Sequence, residues 1–410
     1  MSDPIRDPAA VPQAMTEADL KAHIAATPAL ARLFPAGADG LQITEIGDGN
    51  LNFVFFVHGP DNALAIKQAL PWSRVSKGAR ALNADRLGYE TRALQVFGGL
   101  APDHVPQVHH YDPDRALMAQ TFLTGHRVLR QALLEAADWP HLADHMAEYL
   151  VACLLGTSPL GMIPSDRRRL AAEFSGNIAL CEITERLVFT QPFTRSDANR
   201  WSRPALDDAV HAMQADPRVQ MRVRDLKHAF LTRAEALLHG DLHSGSIMLT
   251  VDSTQIIDPE FAIFGPMGFD IGMFLGNLML SCFAQPGWSR EPGAAQARLR
   301  AMVTRIWEGF AAGFTARAMA PAPGTLLDGL AEPARAAWIA RHLDGVLQDS
   351  VGFAAIEMVR RLIGAAHVAD FDAIKDAPMR ARCEAAALAH AARLLGHEGR
   401  FPSIDALAQG

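Results

Sequence analysis

The pattern of apolar and polar positions changes character partway along the chain. Residues 41–47 (LQITEIG) alternate like a strand, and the apolar stretches 51–59 (LNFVFFVHG) and 63–70 (ALAIKQAL) follow after short turns. Asp48-Gly49-Asn50 and Pro60-Asp61-Asn62 supply the turns between them, so an antiparallel three-strand meander is expected. A helix is expected before it, over 17–33, with Thr16 as N-cap. Another helix is expected after it, over 84–97, and then two further strands in 105–112 (VPQVHHYD) and 116–122 (ALMAQTF). Beyond that point helix formers dominate 128–155, 166–189, 205–238, 295–318, 331–368 and 380–396. Only 239–264 reads as β in this second part. The expectation is an α+β chain: a small β-rich lobe over 1–121 and a large, mostly helical lobe over 122–410, with a ligand cleft between them.

Composition narrows the class. The 410 residues are 49% apolar, enough to bury a sizeable core, and the formal charge is −7. No basic arm or long basic run is present, which argues against a nucleic-acid partner. The apolar run 271–283 is too short to span a bilayer and is expected to be a buried helix. The first residues, MSDPIRDPAAVPQAM, carry no apolar signal core. Cys153, Cys181, Cys282 and Cys383 are widely spaced and are expected to be reduced thiols of a cytoplasmic protein.

The candidate chemistry is concentrated in 239–276, HGDLHSGSIML followed by IDPEFAIFGPMGFDIGMFLG. Asp241, Asp258 and Glu260 are expected on two short β-type segments joined by a turn. Asp241 is a candidate base or orienter of an attacking hydroxyl. Seventeen residues on, Asp258-x-Glu260 offers two hard oxygen ligands suited to Mg²⁺, which draws its remaining ligands from water and phosphate. Together they suggest metal-assisted phosphoryl transfer. His239, Asp241 and His243 alternate, and on a straight strand they would share a face, so a metal-dependent hydrolase is a reading of a different class. Asp270 is expected to be structural, as a helix cap or a brace under the catalytic loop.

Upstream, 47–52 (GDGNLN) leads into a strand rather than a helix, which excludes a dinucleotide fingerprint and leaves either a plain hairpin turn or a phosphate-covering one. Lys67 in the third strand either snorkels at an edge or points at a ligand. Glu90 on the following helix is its natural ion-pair partner. Downstream, Arg360-Arg361 lie among apolar residues, so at least one guanidinium should face a specific anionic or hydroxyl-rich group.

Taken together these segments resemble the 5-methylthioribose kinase family, small-molecule kinases of the protein-kinase-like fold close to the aminoglycoside phosphotransferases. The carriers are EIGDGNLNFVF (45–55), AIKQALP (65–71), DRLGYETRAL (85–94), CEITERLVFTQPF (181–193), HGDLHSGSIM (239–248), IDPEFAIFGPMGFDIG (257–272) and GFAAIEMVRRLIGAAHVADF (352–371). HGDLH alone marks only the wider superfamily. The DPE triplet, the GPMGFD run and the twin arginines are more specific. The resemblance implies that Asn52, Lys67 and Gln120 contact ATP, and that Asp241 is the base at the sugar 1-hydroxyl. It implies that Asp258 and Glu260 hold Mg²⁺ and nucleotide phosphates, and that Arg360 and Arg361 contact the substrate and the developing charge. ATP would phosphorylate 5-methylthioribose in methionine salvage, with other pentoses such as 5-deoxyribose as alternative substrates, in a cytoplasmic homodimer. Two departures stand out. Arg80-Ala81 occupies the place of a usual Trp-Pro pair, with Trp72 eight residues early. The inter-lobe segment reads Met118-Ala119-Gln120-Thr121-Phe122 in place of the usual Met-Glu-Asp-Leu, with about two extra residues before Arg130. Ser246 stands where many kinases have a metal-binding Asn, and the family shares that Ser.

Overall fold

The computed structural model describes residues 13–46, 52–70, 84–135 and 138–409. The chain divides into two compact units, one ending at Gly125 and the other beginning at His126. The turn at 47–51 and the segment holding Trp72, Arg80 and Ala81 lie outside the described residues.

In the first unit the helix Glu17–Ala26 opens with a reciprocal cap. Thr16 Oγ1 accepts the Asp19 N–H, and the Asp19 carboxylate accepts the Thr16 N–H. The helix expected over 17–33 breaks at Thr27, because Pro28 has no N–H to continue the ladder and holds its predecessor extended. The chain restarts as the short helix Pro28–Ala31. Five strands follow: β1 (Gln42–Ile46), β2 (Phe53–His58), β3 (Ala63–Gln68), β4 (Val108–Asp112) and β5 (Leu117–Thr121). They form one antiparallel sheet in the order β1-β2-β3-β5-β4, which contains the expected meander and the two later strands. Leu64 and Ile66 of β3 face a core that includes Leu20, Ile24, Leu30, Phe34 and Val57. The two-residue period then puts Lys67 on the opposite face. The helix Arg86–Leu100 presents Glu90 to it.

The second unit is built around two packed helices, Gly268–Ala284 and Glu332–Ile363. Every residue of the first is buried, in line with its apolar run. Gly268, Gly272 and Gly276 recur every fourth residue and face the second helix. A Cβ on them would lie 2.5 Å from Asp349 Cβ, 2.6 Å from Ser350 O and 2.7 Å from Ala354 O respectively. Only glycine permits so close a backbone approach.

The long helical stretches are subdivided. The range 128–155 holds Leu129–Leu134 and Leu142–Leu150, the latter running on through a π-helical turn, Val151–Leu155. The range 205–238 splits at Asp216-Pro217 into Asp207–Ala215 and Pro217–Thr232, and its end is strand, not helix. There β7 (Ala236–Leu238) pairs with β10 (Ile263–Gly265), while β8 (Ile247–Leu249) pairs with β9 (Thr254–Ile256) and with β6 (Arg127–Val128). All four cysteines are free thiols, three of them buried. Among the described residues no helix is long and apolar enough to cross a membrane.

Candidate active site

In the first unit Lys67 Nζ donates to Glu90 Oε1 at 2.5 Å, with the lysine 7% exposed and the carboxylate fully buried. Burying two charges costs several kcal/mol per ion, which their attraction only about repays, so stability is a poor reason to keep such a pair. A fixed ammonium is a better one. Asn52 is buried, and its side-chain oxygen accepts Arg86 Nε at 3.1 Å, while Arg86 also donates to Leu70 O. Asn52 therefore helps to hold the start of the helix behind Lys67. Gln120 is a buried residue of β5 with sheet neighbours on both sides, Ala65 and Val108. Its side-chain Oε1 has no hydrogen-bond partner among the described residues.

In the second unit Asp241, Asp258 and Glu260 sit not on strands but on the loops beside them, which corrects the sequence expectation. For Asp241 the reason is Gly240. It adopts φ +84°, and a Cβ there would lie 2.1 Å from Phe261 O, so the chain turns sharply out of β7 before Asp241. Asp270, in the first turn of its helix, accepts the His239 N–H at 2.6 Å and the Gly240 N–H at 3.0 Å. It is the brace under the loop rather than the helix N-cap, which is Met267. Burial pushes its carboxyl up, and these two amides work against that rise.

The ring nitrogens of His239 are both engaged, Nε2 with Ile257 O at 2.8 Å and Nδ1 with the Asp241 N–H at 3.3 Å. The triad His239–Asp241–His243 therefore does not form a metal centre, and the hydrolase reading falls. His239 instead ties the Asp241 loop to the strand end before Asp258. His243 Nδ1 accepts the Gly245 N–H at 2.9 Å, which leaves the proton on Nε2, 3.3 Å from Asp241 Oδ2. Desolvation holds the His243 pKa down despite Asp241.

Asp241 Oδ1 receives Arg360 Nη1 at 3.2 Å and lies 3.7 Å from Arg361 Nη2. Burial alone would raise the Asp241 carboxyl, but His243, Arg360 and Arg361 together hold it well below the usual range. The twin arginines are themselves aimed by Glu357, which has no exposed surface. It accepts Arg360 Nη1 at 3.1 Å, Arg361 Nε at 2.6 Å and Asn277 Nδ2 at 2.9 Å. Arg130 joins the group, donating to Ser244 Oγ at 3.2 Å and lying 3.7 Å from Asp370. Among the described residues, three buried guanidinium nitrogens here, Arg130 Nη2, Arg360 Nε and Arg361 Nη2, have no hydrogen-bond acceptor. Buried donors without acceptors are costly, so the cluster is shaped to receive an anion.

Asp258 and Glu260 are half-buried. Asp258 adopts φ +64°, a left-handed conformation that costs roughly 1–2 kcal/mol for a residue with a side chain, though less for Asp than for most. Asn177 Nδ2 donates to Glu260 O and Ala262 O, fixing this loop from the start of the helix Ile178–Leu187. Two carboxylates two residues apart suit Mg²⁺, which is commonly held by one or two carboxylates plus phosphate.

The structure sets Arg360 and Arg361 against Asp241, whereas the sequence reading paired only Lys67 with Glu90 and put the arginines at the substrate. That reading missed Glu357, Asn277, Asn177, the role of Arg130 and the contact of His243 with Asp241. Glu357 had a signal, its i, i+3 and i+4 spacing to Arg360 and Arg361.

A buried Lys–Glu pair and a braced HGD loop followed by paired carboxylates are phosphotransferase parts, and the chain belongs to the phosphotransferase enzyme family, whose model matches residues 42–321. The α+β architecture is that of the protein-kinase-like fold. Within this class, Methylthioribose kinase 1 of Oryza sativa subsp. japonica is 39% identical, over 95% of this chain and 93% of that protein. Methylthioribose kinase of Escherichia coli O45:K1 (strain S88 / ExPEC) is 39% identical over 90% of each. Methylthioribose kinase of Bacillus cereus (strain B4264) is 36% identical over 88% of each. The chain is a member of the methylthioribose kinase family.

Proposed function

We propose that this protein transfers the γ-phosphoryl group of ATP to the 1-hydroxyl of 5-methylthioribose, as a step in methionine salvage. The observation that carries this reading is Asp241, a carboxylate held between His243 and two arginines beside donors that lack an acceptor among the described residues. In the transfer the sugar oxygen bonds to phosphorus and the bond from phosphorus to the ADP oxygen breaks. The hydroxyl proton passes to Asp241. A carboxylate with so low a pKa is a weak base, but in a loose phosphoryl-transfer transition state its main task is to orient the hydroxyl, with the proton moving late. Arg360 and Arg361 would stabilise the equatorial oxygens in flight, and Arg130 would add a third positive charge.

Lys67, steered by Glu90, would hold ATP phosphates, with Asn52 and Gln120 as further nucleotide contacts. Asp258 and Glu260 would hold Mg²⁺, which when bound neutralises phosphate charge. We take the enzyme to be a cytoplasmic homodimer, to be checked by sedimentation. The substrate is tested by ADP release with methylthioribose, 5-deoxyribose and ribose compared at equal concentration. The proposal requires methylthioribose to have the highest kcat/KM, and a preference for ribose would contradict it.

A further inference from the structure

We propose that the first unit carries a separate binding site for a borderline divalent metal ion such as Zn²⁺, formed by His23, His110 and Asp112. One ligand atom from each of these residues lies within 4.8 Å of the others. His23 comes from the helix Glu17–Ala26, and His110 and Asp112 from β4, so an ion here would clamp that helix to the sheet edge. His23 Nδ1 and Asp112 Oδ2 are 3.9 Å apart, too far for a hydrogen bond. A single Zn²⁺ at about 2.0–2.2 Å from each would fit in that gap.

The second observation is the state of the His23 ring. Its side chain is only 9% exposed, and among the described residues Nε2 has no hydrogen-bond partner and Nδ1 has only the long approach to Asp112. The nitrogen facing Asp112 thus has no partner at hydrogen-bond distance, and a metal ion on Nδ1 supplies one. The site opens on a cavity of about 910 Å³ whose walls include His23, Gln68, His110, Asp112 and Arg115. That leaves room for water in the open coordination positions. Two imidazoles and one carboxylate are the donors of Zn²⁺ and its neighbours, whereas Mg²⁺ prefers an all-oxygen set. This site is therefore chemically distinct from Asp258 and Glu260.

One feature opposes the ion. Arg115 Nη1 donates to Asp112 Oδ2 at 2.9 Å, the oxygen that a metal would use. Its side chain is 56% exposed, so it can swing into solvent at little cost. Arg115 thus competes with the metal, and its removal should tighten binding.

The test is calorimetric titration of the chelator-treated full-length protein with Zn²⁺, with Mg²⁺ as control. Wild type should bind one equivalent that His23→Ala and His110→Ala each weaken roughly 100-fold or more. Arg115→Ala should tighten it several-fold, and all three variants should keep wild-type kinase turnover. If His23→Ala does not fold, His110→Ala and Asp112→Asn decide the matter. The proposal is overturned if wild type takes up no Zn²⁺, or if the variants bind it as wild type does.

Discussion

Glu357 shows how a single buried charge can govern a site it does not enter. Its carboxylate offers acceptors to Arg360, Arg361 and Asn277, and the arginines in turn hold its pKa down against the effect of burial. Removing one partner of such a network leaves uncompensated charge, at a cost of about 3–5 kcal/mol. Glu357→Gln keeps the shape and loses the charge, so urea unfolding should show a loss of at least about 2 kcal/mol. Its kcat should fall while KM for ATP stays near wild type, because Lys67 and the carboxylate pair are untouched. A fall in ATP affinity alone would argue against a positioning role. Asp258 offers the converse case. Asn tolerates the same left-handed backbone, so Asp258→Asn should leave the melting temperature nearly unchanged while Mg²⁺-supported turnover falls by roughly 10²-fold or more. At this scale the sequence was legible where a motif names the residue, as in HGD and DPE. Glu357 stayed hidden because residues 350–363 are all buried. No polar face of that helix marked one carboxylate as different, although its spacing to the arginines was in plain view.

The element that carries Arg360 and Arg361 is set by the helix across from it. The Gly268, Gly272 and Gly276 row lets the backbones approach until a methyl group would touch carbonyl oxygens. Gly272→Ala should therefore cost about 1–3 kcal/mol in overpacking, seen as a lower melting temperature. It should also lower kcat, since any shift of that helix moves both guanidiniums. An unchanged melting temperature would show that the helices part without penalty. The strands of the sheet were readable because apolar runs sit between turn signals, with Phe55, Val57, Leu64, Ile66, Leu117 and Ala119 alternating onto one core. The catalytic loops were not. Gly240 takes the chain out of the strand period at the residue before Asp241, and Pro28 ends a helix whose apolar pattern continues past it. In both places a backbone constraint at one residue overrides a pattern averaged over many.

For the whole molecule, the pH dependence of stability has a predictable acid side. Burial and the neighbouring Arg393 push His390 down to about 4, with Nε2 bonded to Leu407 O at 2.9 Å. The unfolded chain takes up a proton at this histidine near its ordinary pKa of 6.5, and the folded chain does so only near 4. The stability it contributes is therefore complete above pH 6.5 and is lost as pH falls to about 4, by up to roughly 3 kcal/mol. His390→Gln should flatten that part of the stability–pH curve, and an unchanged slope would assign it to other groups. The central claim, however, rests on Asp241. Steady-state kinetics of Asp241→Asn with ATP and methylthioribose, alongside nucleotide binding, test it most directly. Turnover should fall by about 10²–10⁴-fold with ATP binding retained, and turnover within a few-fold of wild type would contradict the role of Asp241.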